Sequence, residues 1–301
     1  MRMRLIVCML SAMVLSACER LIPADEEAAT PAAGTGGNVI LRVGGMEQIP
    51  FNVAKRQGIG LADASTRAAQ DIGELCSRIS FAVFEGEKKV KVVHQKLGDA
   101  SFGTAAFSLE DGTYQVAVFA HSGESSVSIP SLDKMTANRR VTDTFLYYGE
   151  LKVSGTETIT RDVQLQRRVA MFRLVITDEI PATAAFLWFQ YKGGSSTLSA
   201  LTGYGSVNST QTEIRTISSG QRQFDIYTFP HDEDDVLNIT LRVFDAGENM
   251  LAECEFEDVP VTRNQITRYT GAVFSSQGAS ASSTFRLTAD GEWGGETAYP
   301  F

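Results

Sequence analysis

From Ile79 onward, apolar and polar residues alternate with a period of two in short runs. This spacing predicts half-buried β-strands, and the Gly, Asp, Ser and Pro residues between the runs predict turns. Many short strands with few helical stretches indicate an all-β fold built of antiparallel β-sandwiches. The predicted strands are Asn38–Val43, Ile79–Val83, Lys89–His94, Phe102–Leu109, Tyr114–His121, Phe145–Val153, Thr156–Leu165, Val169–Thr177, Ala185–Tyr191, Phe224–Phe229, Val236–Phe244, Met250–Phe256, Gln265–Phe274 and Thr284–Leu287.

The segment from residue 60 to residue 78 does not follow this alternation. Its apolar residues recur at roughly helical spacing, which allows a short helix, but Ser65–Asp71 also reads as an exposed connection. We expect a loop with some helical turn.

The chain is long enough for two domains of ordinary size. We place the boundary at Gln166-Arg167, which predicts an N-terminal sandwich over 38–166 and a C-terminal sandwich over 167–301. Tyr114–His121 and Phe224–His231 share aromatic, aliphatic and histidine positions at an offset of 110 residues. Duplication of one unit and chance similarity of two amphipathic strands both account for this echo.

The N-terminus has a different character. Two arginines precede an apolar run over Leu5–Leu15, and small residues follow directly before Cys18. This order is typical of a secretory leader, and the run is shorter than the roughly 20 residues of a permanent membrane-spanning helix. Because a cysteine after Leu-Ser-Ala matches the bacterial lipobox, we expect a signal peptide over 1–17 and lipid on Cys18. An ordinary leader with a chance cysteine is the alternative.

Residues 18–37 are acidic and then rich in Ala, Pro, Thr and Gly, which predicts a flexible tether. Removal of residues 1–17 changes the formal net charge from −9 to −11. Such an acidic chain is a poor candidate for binding nucleic acid, and anionic head groups would repel it. We therefore expect the lipid on Cys18, whose several acyl chains hold firmly, to anchor the protein at the outer membrane.

Two cysteines, Cys76 and Cys254, lie in the expected folded part. They would pair only if their Cα atoms came within about 7 Å. Two buried thiols are at least an equal alternative, because cysteine is among the most frequently buried residue types.

Signatures of catalysis and of cofactor binding are missing from the sequence. The three histidines, His94, His121 and His231, show no metal-ligand spacing, and the chain contains no CxxC and no G-x-S-x-G. The acidic segment His231–Asp235 is the best candidate for a cation site, but the same composition is typical of an exposed hairpin loop, which we favour. We expect neither a metal nor a cofactor, and no enzymatic activity.

Several soft motifs follow one another in the second half of the chain: Arg167–Val175, Gly203–Val207, Tyr227–His231, Asn264–Gly271 and Glu292–Gly295. Together with Ile79–Gly86 and the lipobox, they resemble the fimbrillin-type lipoproteins of Bacteroidales, in particular the fimbrillin-A-associated anchor subunits of the minor fimbria. The resemblance covers roughly residues 70–301. It implies two transthyretin-like β-sandwich domains and a role in cell adhesion.

The resemblance also implies assembly with other fimbrial subunits by exchange of a β-strand. In stem-forming members, a protease cuts after a basic residue in the loop behind the first strand. Here the matching position is Arg67-Ala68, with Arg56 as an alternative, and the leaving strand is Val39–Val43. Anchor-type members keep this strand and stay held by lipid, and both roles remain open.

The donor strand would come from Thr284–Leu287 and Thr297–Phe301, although this tail equally fits the last strand of the second domain. The alternative function is that of a surface glycan-binding lipoprotein. Trp188, Tyr191 and Tyr204 would then stack on sugar rings, but the period-two spacing of Phe186 and Trp188 favours a place in the core.

Overall fold

The structure is a computed structural model that describes residues 38–47, 72–275 and 286–289. The elements of this part of the chain are β1 (Val39–Glu47), α1 (Ile72–Leu75), β2 (Arg78–Glu85), β3 (Lys88–Lys96), β4 (Thr104–Phe107), β5 (Gly112–His121), β6 (Ser128–Ser131), β7 (Lys134–Thr136), β8 (Thr144–Val153), β9 (Ile159–Arg167), β10 (Ala170–Ile176), β11 (Ala184–Lys192), β12 (Thr197–Leu198), β13 (Gln211–Thr216), β14 (Gln223–Thr228), β15 (Asp235–Asp245), β16 (Met250–Val261), β17 (Ile266–Gly271) and β18 (Arg286–Ala289).

The first sandwich is one seven-stranded sheet that folds back on itself, with the order β3-β2-β5-β8-β9-β1-β4. The fold lies between β8 and β9, which pair only through Phe145–Arg167 and Leu146–Gln166. Strands on both sides of this fold contribute to one hydrophobic core, which contains Leu41, Phe81 and sixteen other buried residues. Two halves of a single sheet therefore face each other across a common core.

The second sandwich consists of two separate four-stranded sheets, β14-β10-β17-β18 and β13-β11-β15-β16. Their facing sides form a second core that includes Phe172, Phe189 and Leu241. A glycine pair in the β11–β12 connection allows close approach of the backbone. A Cβ atom at Gly193 would lie 2.0 Å from the carbonyl oxygen of Val236, and one at Gly194 would lie 1.9 Å from Thr228 Oγ1.

The two sandwiches repeat one topology. If the insertions β6, β7 and β12 and the last strand β18 are set aside, the described part of each sandwich has seven strands in chain order. In both, the third, second, fifth and sixth strands form one side, and the seventh, first and fourth strands form the other. In both, the seventh strand runs parallel to the first, as β9 does to β1 and β17 to β10.

This repeat does not explain the echo between Tyr114–His121 and Phe224–His231. The first segment lies in β5, the fifth strand of its sandwich, whereas the second begins in β14, the fourth strand of its sandwich. The two segments therefore lie in non-equivalent strands, and their similarity does not support duplication, even though the strand order itself is repeated.

A third hydrophobic cluster joins the two sandwiches. It contains Phe84 and Phe119 from the first sandwich, Met171 and Phe229 from the second, and the inserted hairpin β6–β7. The rings of Phe119 and Phe229 meet edge to face, with centroids 6.5 Å apart. β7 also pairs with β12, so one small sheet contains strands from both halves of the chain.

The predicted all-β class is confirmed, and most strand pairs are antiparallel. The parallel pairs β1–β9 and β10–β17 were not expected. Their partners are joined through the rest of a sandwich, so no tight hairpin forces them to run in opposite directions. For the segment 60–78, where we expected a loop with some helical turn, the described part contains α1, whereas Ser65–Asp71 lies outside the described residues. The domain boundary at Gln166-Arg167 stays a prediction. No helix of the described residues has the length and apolar character to cross a membrane.

Candidate assembly site around strand β1

Strand β1 is hydrogen-bonded on both sides. It pairs with β9 in parallel from Val39 to Glu47, and with β4 in antiparallel from Val39 to Arg42. The β9 ladder is shifted between Val43 and Gly45, which marks a bulge. Loss of β1 would leave two facing strand edges, those of β4 and β9, without a partner.

Both ends of the β1–β4 ladder are fixed by polar contacts. The side chain of Asn38 accepts a hydrogen bond from the amide of Leu109 and donates one to its carbonyl oxygen, at 2.9 and 2.6 Å. At the other end, the Val43 amide donates to the Gly103 carbonyl at 2.9 Å. The buried side chain of Gln95 holds this turn from β3, because it accepts from the Gly103 amide and donates to the Thr104 carbonyl.

The apolar side chains of β1 fill the first core. Val39 and Leu41 are fully buried, and Val43 and Met46 pack against the same cluster. Full burial of a valine or leucine side chain is worth about 1.5–3 kcal/mol each, so β1 contributes several kcal/mol to the first sandwich. The surface pair Arg42–Asp162, at 3.4 Å with both side chains more than half exposed, contributes little.

The residues predicted for lipidation and cleavage, Cys18, Arg56, Arg67 and Ala68, lie outside the described residues. The described part brings together the predicted leaving strand Val39–Val43 and the groove that holds it. The β9 side of this groove was not predicted, because no local signal in the sequence indicates a parallel pair whose members lie far apart in the chain.

The C-terminal segment is described only at β18, which pairs antiparallel with β17 at the edge of its sheet. This arrangement corresponds to the last strand of the second sandwich, one of the two alternatives for the tail. Directly after β17, the amides of Val273, Phe274 and Ser275 donate hydrogen bonds to the Asp178 carboxylate, which fixes this part of the backbone. Thr297–Phe301 lies outside the described residues.

A buried ion pair lies where the chain passes from the first sandwich to the second. Arg167 donates two hydrogen bonds to the Asp143 carboxylate, at 2.7 and 2.9 Å, and a third to the side chain of Asn264 at 3.2 Å. Its guanidinium carbon lies 4.7 Å from the centre of the Phe145 ring. Because Asn264 belongs to the β16–β17 turn, the Arg167 side chain contacts residues of both sandwiches.

The acidic segment after β14 is the loop that joins β14 to β15, as the loop interpretation predicts. Its polar groups stabilise the loop itself: His231 Nδ1 lies 3.0 Å from Asp235 Oδ2, and the Asp234 amide donates to Asp232. Glu233 accepts a hydrogen bond from the hydroxyl of Tyr204. In the described part of the chain, no group of three or more His, Cys, Asp or Glu residues is placed to hold a metal ion.

The two thiols lie in different cores. Cys76 belongs to the first core and Cys254 to the second, and they are not joined by a disulfide. Burial raises the pKa of the Cys76 thiol, which favours its protonated form.

The aromatic residues considered for sugar stacking lie in different environments. Tyr191 is buried and donates a hydrogen bond to Glu213 at 2.6 Å, so it is not accessible to a ligand. Phe186 and Trp188, which were expected in the core, are only half-buried and point away from it, because Leu187, Phe189 and Tyr191 take the core positions of β11. The expectation for Phe186 and Trp188 was wrong by one residue of register.

Residues 45–299 match the model of a family described as a family of unknown function (DUF6562). The chain belongs to this family. The match begins within β1 and includes both sandwiches. No curated protein matches the sequence.

Solved structures similar to this member of the DUF6562 family include two fimbrial proteins. One is a fimbrial assembly protein from Parabacteroides distasonis, with 13% identity and a TM-score of 0.40, covering 84% of this chain and 94% of that chain. The other is the tip fimbrial protein Mfa3 from Porphyromonas gingivalis with a C-terminal truncation. It has 11% identity and a TM-score of 0.38, and the match covers 72% of this chain and 95% of that chain.

Proposed function

We propose that this chain is a non-catalytic, lipid-anchored subunit or anchor of a cell-surface fimbrium, which joins other fimbrial subunits by exchange of a β-strand and supports adhesion. The observation that carries the proposal is the position of β1. It is the first described strand, it fills the core with Val39 and Leu41, and it is hydrogen-bonded to β4 and β9 without being joined to either by a short turn.

Exchange at this position would conserve most of the interactions. A strand from a neighbouring subunit would restore the backbone hydrogen bonds to β4 and β9, and its alternate side chains would fill the pockets of Val39 and Leu41. The proposed cut after Arg67, or after Arg56, would free β1 from the rest of the chain. Without the cut, the same molecule would end a fibre and remain at the outer membrane through lipid on Cys18.

The test is limited trypsin treatment of the purified chain, followed by electrophoresis in SDS without heating. We expect ladders of SDS-resistant oligomers after cleavage, and N-terminal sequencing should show new chains that begin at Ala68. Arg67→Ala should abolish the ladder, whereas Arg56→Ala should leave it intact. The reverse pattern would assign the cut to Arg56. A chain that is cleaved after Arg67 but stays monomeric contradicts strand exchange.

One observation favours glycan binding as a second candidate function. Phe186 and Trp188 lie on the outer face of the second sandwich, where Phe186 stacks on Phe244 with ring centroids 5.3 Å apart. The Arg242 guanidinium lies 4.9 Å from the centre of the Trp188 ring. Ile214, which lies opposite Trp188 on β13, is 60% exposed. Aromatic and polar groups of this kind suit the apolar faces and hydroxyl groups of a sugar chain.

A glycan array distinguishes the two functions. Binding that is lost in Trp188→Ala but kept in Tyr148→Ala, a change at an exposed aromatic residue of the first sandwich, would favour glycan recognition through this face. Absence of binding, together with ladders after cleavage, would favour assembly alone.

A further inference from the structure

β3 is the outer strand of the folded sheet in the first sandwich. Its one strand neighbour is β2, with which it pairs from Lys88 to Lys96. Within the described residues, no strand pairs with its other side, although β6 contacts β3 at Lys89. An uncovered edge of nine residues is a template onto which a strand from another molecule can add.

This edge contains half of the lysines of the protein. The sequence has eight lysines, and four of them, Lys88, Lys89, Lys91 and Lys96, fall within β3. All four are exposed. Lys89 donates a hydrogen bond to the Ile129 carbonyl at 3.0 Å. For the other three, no acidic partner lies within ion-pair distance among the described residues, although the chain carries 36 acidic residues.

Lys91 is placed on the core-facing row of the edge. It lies opposite Val83, a member of the first core, and Val93 from the same row packs against that core. A strand added beside β3 would enclose the Lys91 ammonium between its own side chains and the core. Enclosing an unpaired charge is costly, and an inward-pointing charge at a sheet edge therefore opposes strand addition.

We propose that the lysines of β3 prevent two copies of this chain from pairing through this edge, and thereby confine strand addition to the position of β1. β3 contains a bulge where its ladder to β2 shifts between Val83 and Phe84. In an antiparallel pairing of two β3 strands, the lysines at the Lys88 end of each copy would lie close to Lys96 of the other. Like charges directly opposite each other destabilise a strand pair. The role in directing assembly rests on the proposed fimbrial function, whereas the block on pairing does not.

The corresponding sheet of the second sandwich has charged edges as well. Its outer strand β16 exposes Glu253, Glu255 and Glu257, and its other outer strand β13 turns Glu213 inward, where Arg215 pairs with it. The core-facing residues of β1, in contrast, are apolar. Charged side chains thus disfavour strand addition at β3 in the first sandwich and at β13 and β16 in the second. Among the side chains that the structure describes, the core-facing side of the β1 position carries none with a charge that would oppose a strand.

The test compares two triple variants that change the net charge by the same amount. K88T/K91T/K96T removes the lysines of the edge, whereas K134T/K152T/K192T removes three exposed lysines elsewhere. Both are made with Cys18→Ala, so that lipid does not cause association, and no protease is added. Sedimentation velocity over a concentration series measures the association constant of each intact chain.

We expect the edge variant to form dimers with an association constant about two- to thirty-fold above that of the control, the range given by relief of two facing lysine pairs. Circular dichroism and the unfolding midpoint verify that the variant remains folded. An edge variant that is folded but as monomeric as the control overturns the proposal. Because no strand is released in this experiment, its outcome is independent of the ladder test for strand exchange.

A mixing experiment examines the electrostatic origin of the effect. In K88E/K91E/K96E, the acids introduced at positions 88 and 96 of one copy would lie close to Lys96 and Lys88 of the wild-type chain in the same pairing. We expect the mixture to form a one-to-one complex, while each chain alone stays monomeric. A mixture that associates no more than either chain alone also overturns the proposal.

Discussion

The ion pair between Arg167 and Asp143 allows a quantitative prediction about the joint of the two sandwiches. Their side chains are only 7% and 15% exposed, and two hydrogen bonds of 2.7 and 2.9 Å connect them. Asp143→Ala would leave the Arg167 guanidinium buried without its carboxylate. Breaking a buried pair in this way costs about 3–5 kcal/mol, a large part of the roughly 5–15 kcal/mol that stabilises a typical domain.

The free energy of unfolding is measured by urea titration, with tryptophan fluorescence and circular dichroism as independent probes. Arg167→Met, made alone and in the Asp143→Ala background, completes a double-mutant cycle. Because this second change removes the unpaired charge and leaves an apolar side chain, we expect the double variant to be more stable than Asp143→Ala alone. The matched control is Arg42→Ala, which breaks the exposed pair with Asp162 and should cost less than about 1 kcal/mol.

Two results would refute this reasoning. One is a cost of less than about 1 kcal/mol for Asp143→Ala, comparable with that of an exposed pair. The other is a double variant whose cost equals the sum of the two single costs to within about 0.5 kcal/mol, which would mean that the two residues act independently.

Three further predictions concern other parts of the molecule. Burial lowers the pKa of His121 to about 4, below its ordinary value of 6.5, and its Nδ1 accepts a hydrogen bond from the Gly123 amide. The unfolded chain therefore binds more protons, and the free energy of unfolding should fall by up to about 3 kcal/mol as the pH drops from 6.5 to 4. The His121→Gln variant should lose less stability over this range. Equal losses in both proteins would contradict the role of His121. Leu41→Ala should cost about 2–5 kcal/mol by leaving a cavity in the first core, measured by urea unfolding, and a cost below about 1 kcal/mol would contradict the burial of β1. Cys18→Ala should move the protein from the membrane fraction to the soluble fraction, and unchanged membrane association would remove the lipid anchor from the proposal.

Local alternation was sufficient to predict most strands, because the buried face of a strand appears in its sequence as apolar residues at every second position. β13 was missed because its alternation is inverted. Glu213 points inward and is buried, whereas Ile214 points outward and is 60% exposed. Glu213 is tolerated inside because Tyr191 donates a hydrogen bond to it and Arg215 pairs with it. Tyr191 lies on the neighbouring strand β11, and Arg215 lies on β13 itself.

The error at Phe186 and Trp188 has a similar origin. β11 contains aromatic or aliphatic residues on both of its faces, so a period of two indicates a strand without indicating which face is buried. The core is decided by the opposite sheet, which packs against Leu187, Phe189 and Tyr191.

The all-β class and the approximate position of most strands could be predicted from the amino-acid sequence alone, because both depend on the spacing of apolar residues over a few positions. Tertiary structure decided the parallel pairing of β1 with β9 and the contact of Arg167 with Asn264. These partners lie about 100 residues apart or more, and the free energy that brings them together comes from burial in a shared core. No short stretch of sequence contains that information, because each strand could pair equally well with any other strand edge that has a matching alternation of apolar residues.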